Sequence, residues 1–417
     1  MVLKAIPDEP VLKFNFGSSY STQVTNKDDF LSYKGGGVNL LGREDRDIPS
    51  DGNFGGAAGL SSTHAPYDGK WSLAAGGKRQ VGDITVGGFG SLFYERDSSS
   101  YRDGIDDKYW VEHPGDPMTP QYVQGSPDQG DFKTQLFDVQ QSAEEVKWGG
   151  LGTLGLEVED HALTLLYMYT RTAEDVATLA EDTRGKEFYF PGYDPNDPRH
   201  PGNQERDAAP YLRMETLEYT ERTTQTLQLR GRHTLLDPDL EIKGGVSFLA
   251  PEFDWLVAQS SSGLLQPDKR QFGSLWWAES YNPGYPPYLP PSTYPSLFRP
   301  FKPAANFTMG NFQRIWKDIS EDSTQYQTNL KIPFEQWSGD EGYLKFGIFK
   351  DQLKRSFQQD SFSNFNDNSA QYSGDWDDFW SDVFPDENHP VTAAAMDVDY
   401  EGEQDISAWY VMEDVPL

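Results

Sequence analysis

The sequence predicts an all-β chain, an antiparallel up-and-down sheet of about ten strands with the pattern of a transmembrane β-barrel. Three observations predict it. Period-2 alternation of apolar and polar residues recurs throughout, while helical periodicity is nearly absent. The joints between the alternating runs are short and long by turns, as in a sheet whose two ends meet different environments. No apolar run reaches the roughly 18 residues of a membrane helix, a test that says nothing of strands.

The strands follow in order. The first is read at 11–25, where Leu12, Phe14 and Phe16 alternate with Lys13 and Asn15. Strands at 70–78 and 83–97 flank a short joint near Gly77–Val81. Strands at 143–158 and 161–172 flank Glu159–His161; the former sets Val146, Trp148, Leu154 and Leu156 against Lys147, Thr153 and Glu157. At 215–233 the face of Glu218, Arg222, Arg230 and Arg232 is polar without a break. The other face carries Leu217, Tyr219, Leu227 and Leu229, interrupted by Glu221, Thr223 and Gln225. Leu240, Ile242, Val246 and Phe248 place a strand at 239–250. Strands at 323–334 and 342–357 come from Tyr326, Leu330, Ile332 and from Leu344, Phe346, Ile348; the last is at 405–415. Long connections are expected at 26–69, 98–142, 173–214, 251–322 and 358–404. Five loops of this length are unusual in one compact soluble domain. No linker divides the chain, so residues 1–417 read as one domain.

Composition narrows the function. Aromatic residues make up 14% of the chain although all hydrophobic residues reach only 36%, which a disordered acidic tail does not show. Sixty-six acidic residues against 35 basic ones give a net charge of −31, which argues against a nucleic-acid partner. Without cysteine there is no disulfide, thiolate metal site or thiol nucleophile. The start lacks a basic stretch followed by an apolar one, so no signal peptide is read there. The six histidines form no zinc motif, and no nucleophile elbow or phosphate loop occurs. No cofactor, metal site or catalytic residue is assigned, and the chain is read as a non-enzyme.

Two groups of residues are candidates for function. In a barrel Glu218, Arg222, Arg230 and Arg232 face the lumen, as a polar wall of mixed charges or as contacts to a ligand. Asp375, Trp376, Asp377, Asp378 and Trp380, in an acidic loop at 374–390, offer carboxylates and flat aromatic faces to a substrate. Their spacing departs from the EF-hand pattern, and a solvated extracellular loop is the plainer reading. Trp148, Trp316, Trp337 and Trp409, near strand ends or turns, belong to aromatic girdles in a barrel and to the core in a soluble protein. His161 and His233, each at a short turn, are expected to cap or pair there.

Residues 142–175 carry Glu144, Glu145, Val146, Trp148, Gly149 and Gly150, then His161, Leu163, Tyr169, Arg171, Glu174 and Asp175. This hairpin resembles an early one of the TonB-dependent outer-membrane receptors. Tyr219, Glu221, Arg222, Gln228, Leu229, Gly231 and His233 resemble its return strand, and residues 5–45 resemble the exit from the plug domain into the first barrel strand. The resemblance implies the N-terminal part of a barrel of about 22 strands, with the plug and the C-terminal strands missing and two sheet edges open. It also implies a place in the outer membrane of a Gram-negative bacterium. The implied function is TonB-energised uptake of a scarce nutrient: siderophore, vitamin, metal chelate or oligosaccharide. The implied partners are outer-membrane lipid, the TonB complex acting through the plug, and a small-molecule or oligosaccharide ligand. A secreted carbohydrate-binding or carbohydrate-active β protein and a passive porin-like channel are the alternatives.

Overall fold

The computed structural model describes residues 6–44, 46–48, 59–107, 109–111, 113–115, 118–120, 122–124, 133–134, 136–182, 211–235, 240–242, 246–278, 298–303, 312–363, 392–393 and 397–415. Ten long strands form one antiparallel sheet: β1 (Val11–Gly17), β2 (Gly69–Val81), β3 (Ile84–Asp107), β4 (Leu136–Val158), β5 (His161–Asp182), β6 (Tyr211–Thr234), β7 (Glu252–Ala278), β8 (Phe312–Glu335), β9 (Glu341–Ser363) and β10 (Val398–Asp414). Each pairs with the next in chain order, and β1 and β10 do not pair with each other. The fold is an open up-and-down sheet. Among the described residues there is no helix, and the other sheets have only two short strands each.

The short joints stand where the alternation stops, at Gly82-Asp83, Glu159-Asp160 and Gln336–Asp340. Gly82 and Glu159 take positive φ, 63° and 50°, the conformation that closes a tight hairpin. The strands run well past the predicted limits at their long-connection ends. β5, for example, has 22 residues and continues to Asp182. Beyond the apolar part charged and apolar residues mix on one face, as Arg171 and Asp175 do with Ala173 and Leu179 on β5, so alternation alone does not mark the end of pairing. The first strand errs the other way and stops at Gly17. Ser18 Oγ donates to the Asp68 carbonyl (2.9 Å), and the Thr25 amide bonds to the Ser21 carbonyl (2.8 Å). Serine and threonine here favour a turn over the ladder.

One strand lies elsewhere than the alternation predicts. The seventh long strand is Glu252–Ala278, inside the predicted loop 251–322, and not 239–250. Leu240–Ile242 and Val246–Phe248 form only a small hairpin, joined to β8 through Phe248 and Phe334. The sequence between them holds Gly244-Gly245, a turn signal in the middle of the apolar run. β7 was hidden by Ser260–Gly263, a small polar stretch, and by Pro267. The pairing with β8 slips between Gln266 and Lys269, and Asp268 there has φ 56°. This bulge absorbs the proline.

Glycines opposite aromatic rings tie neighbouring strands. Tyr410 of β10 lies over Gly347 of β9, and its hydroxyl donates to Asn329 Oδ1 of β8 (2.8 Å). Trp255 lies over Gly231 in the same way. A Cβ at either glycine would overlap the ring. Gly347→Val is therefore expected to displace Tyr410 and cost roughly 1–3 kcal/mol, read as amide exchange over 398–412 becoming at least about fivefold faster.

Candidate functional site

Cross-strand register decides which side chains share a face. From β1 to β10 one face collects Phe14, Leu73, Leu92, Leu154, Leu165, Leu229, Val257, Phe346, Ile348 and Trp409. These residues are largely exposed: Leu12 at 78%, Phe14 at 65%, Leu154 and Ile348 at 63%, Trp409 at 79%. Leu330, Ile332 and Leu344 on β8 and β9 are half-buried and Phe346 is exposed; among the described residues no second sheet covers them. The apolar residues make one band across the sheet. Isolated exposed apolar residues are ordinary, but a continuous band of this extent marks a surface that meets something other than water.

The band drifts across the pairing rows. Phe14, Leu73 and Leu92 share a row with Gly150 of β4, whereas Ile348 and Trp409 share one with Leu156. A level band drawn over a staggered register requires strands tilted to it, the geometry of a barrel wall. At the long-connection edge of the band stand Trp71 stacked on Tyr94 (centroids 6.3 Å apart) and Trp148 against Tyr169 (5.3 Å). At the short-joint edge Trp255 Nε1 donates to His233 Nε2 (3.0 Å), and His233 pairs with His161 (3.2 Å). Trp337 is exposed at a short joint. Trp316 departs from the girdle expectation. It lies beyond the band, 8% exposed, donating to the Arg46 carbonyl (2.7 Å).

The opposite face is polar and small. Asn15 donates to Ser72 Oγ (3.1 Å), Asn329 to Asp254 Oδ1 (2.9 Å), and Thr226 and Ser260 share a hydrogen bond (3.0 Å). All four predicted wall residues are on this face. Glu218 meets Lys269 Nζ (2.8 Å) and Gln266 Nε2 (2.6 Å), and Arg222 meets Glu174 (3.8 Å). Arg230 and Arg232 are exposed with no ion pair among the described residues. Ile6 also lies on this face, in a hollow that a Cβ at Gly87 or Gly155 would fill, and Asp8 pairs with Lys78 (3.1 Å). Asp375, Trp376, Asp377, Asp378 and Trp380 lie outside the described residues. Among the described residues no group of three or more acidic or histidine side chains is placed to hold a metal ion, and no helix is long and apolar enough to cross a membrane.

Sequence reasoning missed a polar cluster beyond the aromatic edge, on the band's own face. A strap, Val24–Glu44 continued by Arg46, crosses β4, β5 and β6 there. Its Val38 packs on Val146, Ala173 and Tyr219, and Leu31 and Tyr33 on Ala177, Leu179 and Leu217. Tyr33 donates to Asp175 Oδ2 (2.6 Å), while Arg46 reaches Tyr33 Oη (2.9 Å), Asp175 (3.3 Å) and the Gly35 carbonyl (3.0 Å). Arg171 donates to the Gly42 carbonyl (2.7 Å) and pairs with Glu221, which also accepts from Tyr219 Oη (2.8 Å) and the Glu44 amide (2.9 Å). Arg96 pairs with Glu144 and donates to the Val38 carbonyl (3.2 Å). Gly42, at φ 59°, sits against Ala173 where no side chain fits. The signal was present: Glu144, Trp148, Arg171, Asp175, Tyr219 and Glu221 are motif residues, and they converge on this strap.

Burial pushes the Asp175 carboxyl up to about 6, against the opposing pull of the Tyr33 hydroxyl, the Arg46 guanidinium and the Gly37 amide. Burial, with the facing Asp175 carboxylate, also pushes the Tyr33 hydroxyl up. No family model matches the chain, and neither a curated protein nor a solved structure matches it.

Two outcomes follow from the strap. Asp175 titrates above the ordinary carboxylate value of 3.8, so its contribution to docking is complete below about pH 4 and is lost as pH rises through about 6. The protection of amides 30–44, each exchange rate taken relative to the unfolded rate at the same pH, is expected to fall across that range, and Asp175→Asn to flatten the dependence. Arg171→Met leaves Glu221 buried without its cation, a loss of about 3–5 kcal/mol. Trypsin is then expected to cut at Lys34 and Arg43 well before it cuts the parent chain.

Proposed function

We propose that the chain is part of the barrel wall of a TonB-dependent outer-membrane receptor, which takes up a scarce nutrient with energy relayed from the inner membrane. The observation that carries this reading is the exposed apolar band, continuous across ten staggered strands and edged by aromatic pairs. A bilayer admits strands only where every backbone polar group is paired; the antiparallel ladder pairs both edges of β2 through β9, and the outer edges of β1 and β10 call for the further strands of a closed barrel. Hydrocarbon covers the band, and water and a plug meet the polar face. Ile6, seated on the polar face, supports the direction from which the chain enters the wall. The convergence of Glu144, Trp148, Arg171, Asp175, Tyr219 and Glu221 on one strap supports the receptor resemblance.

In this reading the wall does no bond-making chemistry. Long connections on the outer side bind the ligand, which belongs to the class of siderophores, vitamins, metal chelates or oligosaccharides. Arg230 and Arg232, without an ion pair among the described residues, are wall cations open to anionic groups of a plug or a passing ligand. A two-sheet carbohydrate-binding protein would instead press Leu330, Ile332, Leu344 and Phe346 against a second sheet, and among the described residues no such sheet is present.

Two measurements test the reading. An arginine at Phe346, flanked on the band's face by Leu344 and Ile348, should cost up to about 2–4 kcal/mol of insertion. Phe346→Arg is expected to move the protein out of the urea-resistant outer-membrane fraction, while Arg230→Asp leaves it there; equal behaviour of the two refutes the membrane assignment. For transport, a strain lacking the gene and one lacking TonB are expected to lose growth on the same limiting nutrient. A gene-deleted strain that grows like its parent on all four nutrient classes refutes the receptor.

A further inference from the structure

The strap has an unusual tip. Asn39–Gly42 forms a tight turn closed by the Gly42 amide on the Asn39 carbonyl (3.0 Å), with Asn39 Oδ1 accepting from the amides of Leu41 (3.0 Å) and Arg43 (3.1 Å). The two central positions of the turn are leucines, exposed at 67% for Leu40 and 58% for Leu41. Turn corners in water favour Gly, Asn, Asp, Ser or Pro. Two adjacent leucines at a corner held this firmly therefore call for an apolar neighbour.

The turn's position names that neighbour. The Leu41 carbonyl accepts from Trp148 Nε1 (2.9 Å), and Trp148 packs on Tyr169 at the edge of the apolar band. Val38, earlier in the strap, lies over Val146, farther from the band; Gly42 lies over Ala173, and Arg46 reaches Asp175 farther along β5. The chain thus approaches the band, turns at Leu40-Leu41 and retreats. Arg43, next in the chain, is exposed with no ion pair among the described residues. Aromatic rings whose polar edges donate hydrogen bonds are at home at the same boundary.

We propose that the Asn39–Gly42 turn is a shallow lipid anchor. Leu40 and Leu41 enter the hydrocarbon boundary of the outer leaflet, and Arg43 lies among its headgroups. The proposal rests on the membrane reading of the band. It gives the buried polar cluster a purpose, since a wedge set into lipid must be held from behind. It also couples the strap to the bilayer, so that docking and insertion support each other.

The absence of cysteine allows single spin labels to be placed without further changes. Nitroxides at Leu40→Cys, Leu41→Cys and, as the band reference, Ile348→Cys are read in reconstituted lipid by collision with oxygen and with a water-soluble nickel chelate. Oxygen-dominated collisions at all three, deepest at 348, are the expected result. Oxygen dominance at 348 with nickel dominance at both 40 and 41 overturns the anchor alone. Low collision rates with both reagents at 40 and 41 also overturn it, since the turn would then be packed against protein. Nickel dominance at 348 overturns the membrane reading, and the anchor falls with it.

Discussion

Backbone hydrogen bonding from β1 through β10 is the constraint on which the rest of this molecule depends. An antiparallel ladder leaves no freedom in the face a residue takes: a shift of one residue would carry Phe14, Leu154 and Ile348 from one side of the sheet to the other. The register is unbroken through the band, and its slips, at Val139/Gln141, Leu217/Glu221 and Gln266/Lys269, all fall beyond the band towards the long connections. The band is therefore continuous because the irregularities are kept out of it.

The same ladder creates the problem that the strap solves. Glu144, Arg171, Asp175 and Glu221 alternate on the apolar face where the strands outrun the band, and an ionised side chain is costly to bury without partners. The strap brings Tyr33, Arg46 and three backbone groups (the Gly37 and Glu44 amides and the Gly42 carbonyl) to those charges. Each charge then has an opposite charge or several hydrogen bonds. Arg46 also stacks over Tyr219, 4.6 Å from the ring centre. Removing one member leaves the others buried and unmatched, so the cluster holds as a unit. The strap differs in kind from the strands: it is fixed by side chains, they by backbone.

The legible parts of the sequence were those governed by local periodicity. Alternation at Leu12–Phe16, Val146–Val158 and Tyr326–Phe334 located strands and grouped their residues by face, and Glu218, Arg222, Arg230 and Arg232 share the polar one. The signal ends where composition ceases to alternate. Ser260–Gly263 and Pro267 made β7 look like a loop, and the apolar residues around Gly244-Gly245 made a small hairpin look like a strand. The nearness of Trp316 to a strand end is local, while its burial depends on Arg46, 270 positions away.

The sequence by itself determined that this chain is an all-β meander with one apolar and one polar face, because a period of two is a local property and hairpin turns are written in a few adjacent residues. Tertiary structure alone decided the tilt of the strands, the level of the band and the purpose of the recurring Glu144, Arg171, Asp175 and Glu221. Those depend on register summed over many strands and on a strap more than a hundred residues away from the strands it grips, as Leu31 and Ser142 show at a separation of 111. No short window of sequence contains both partners of such a contact.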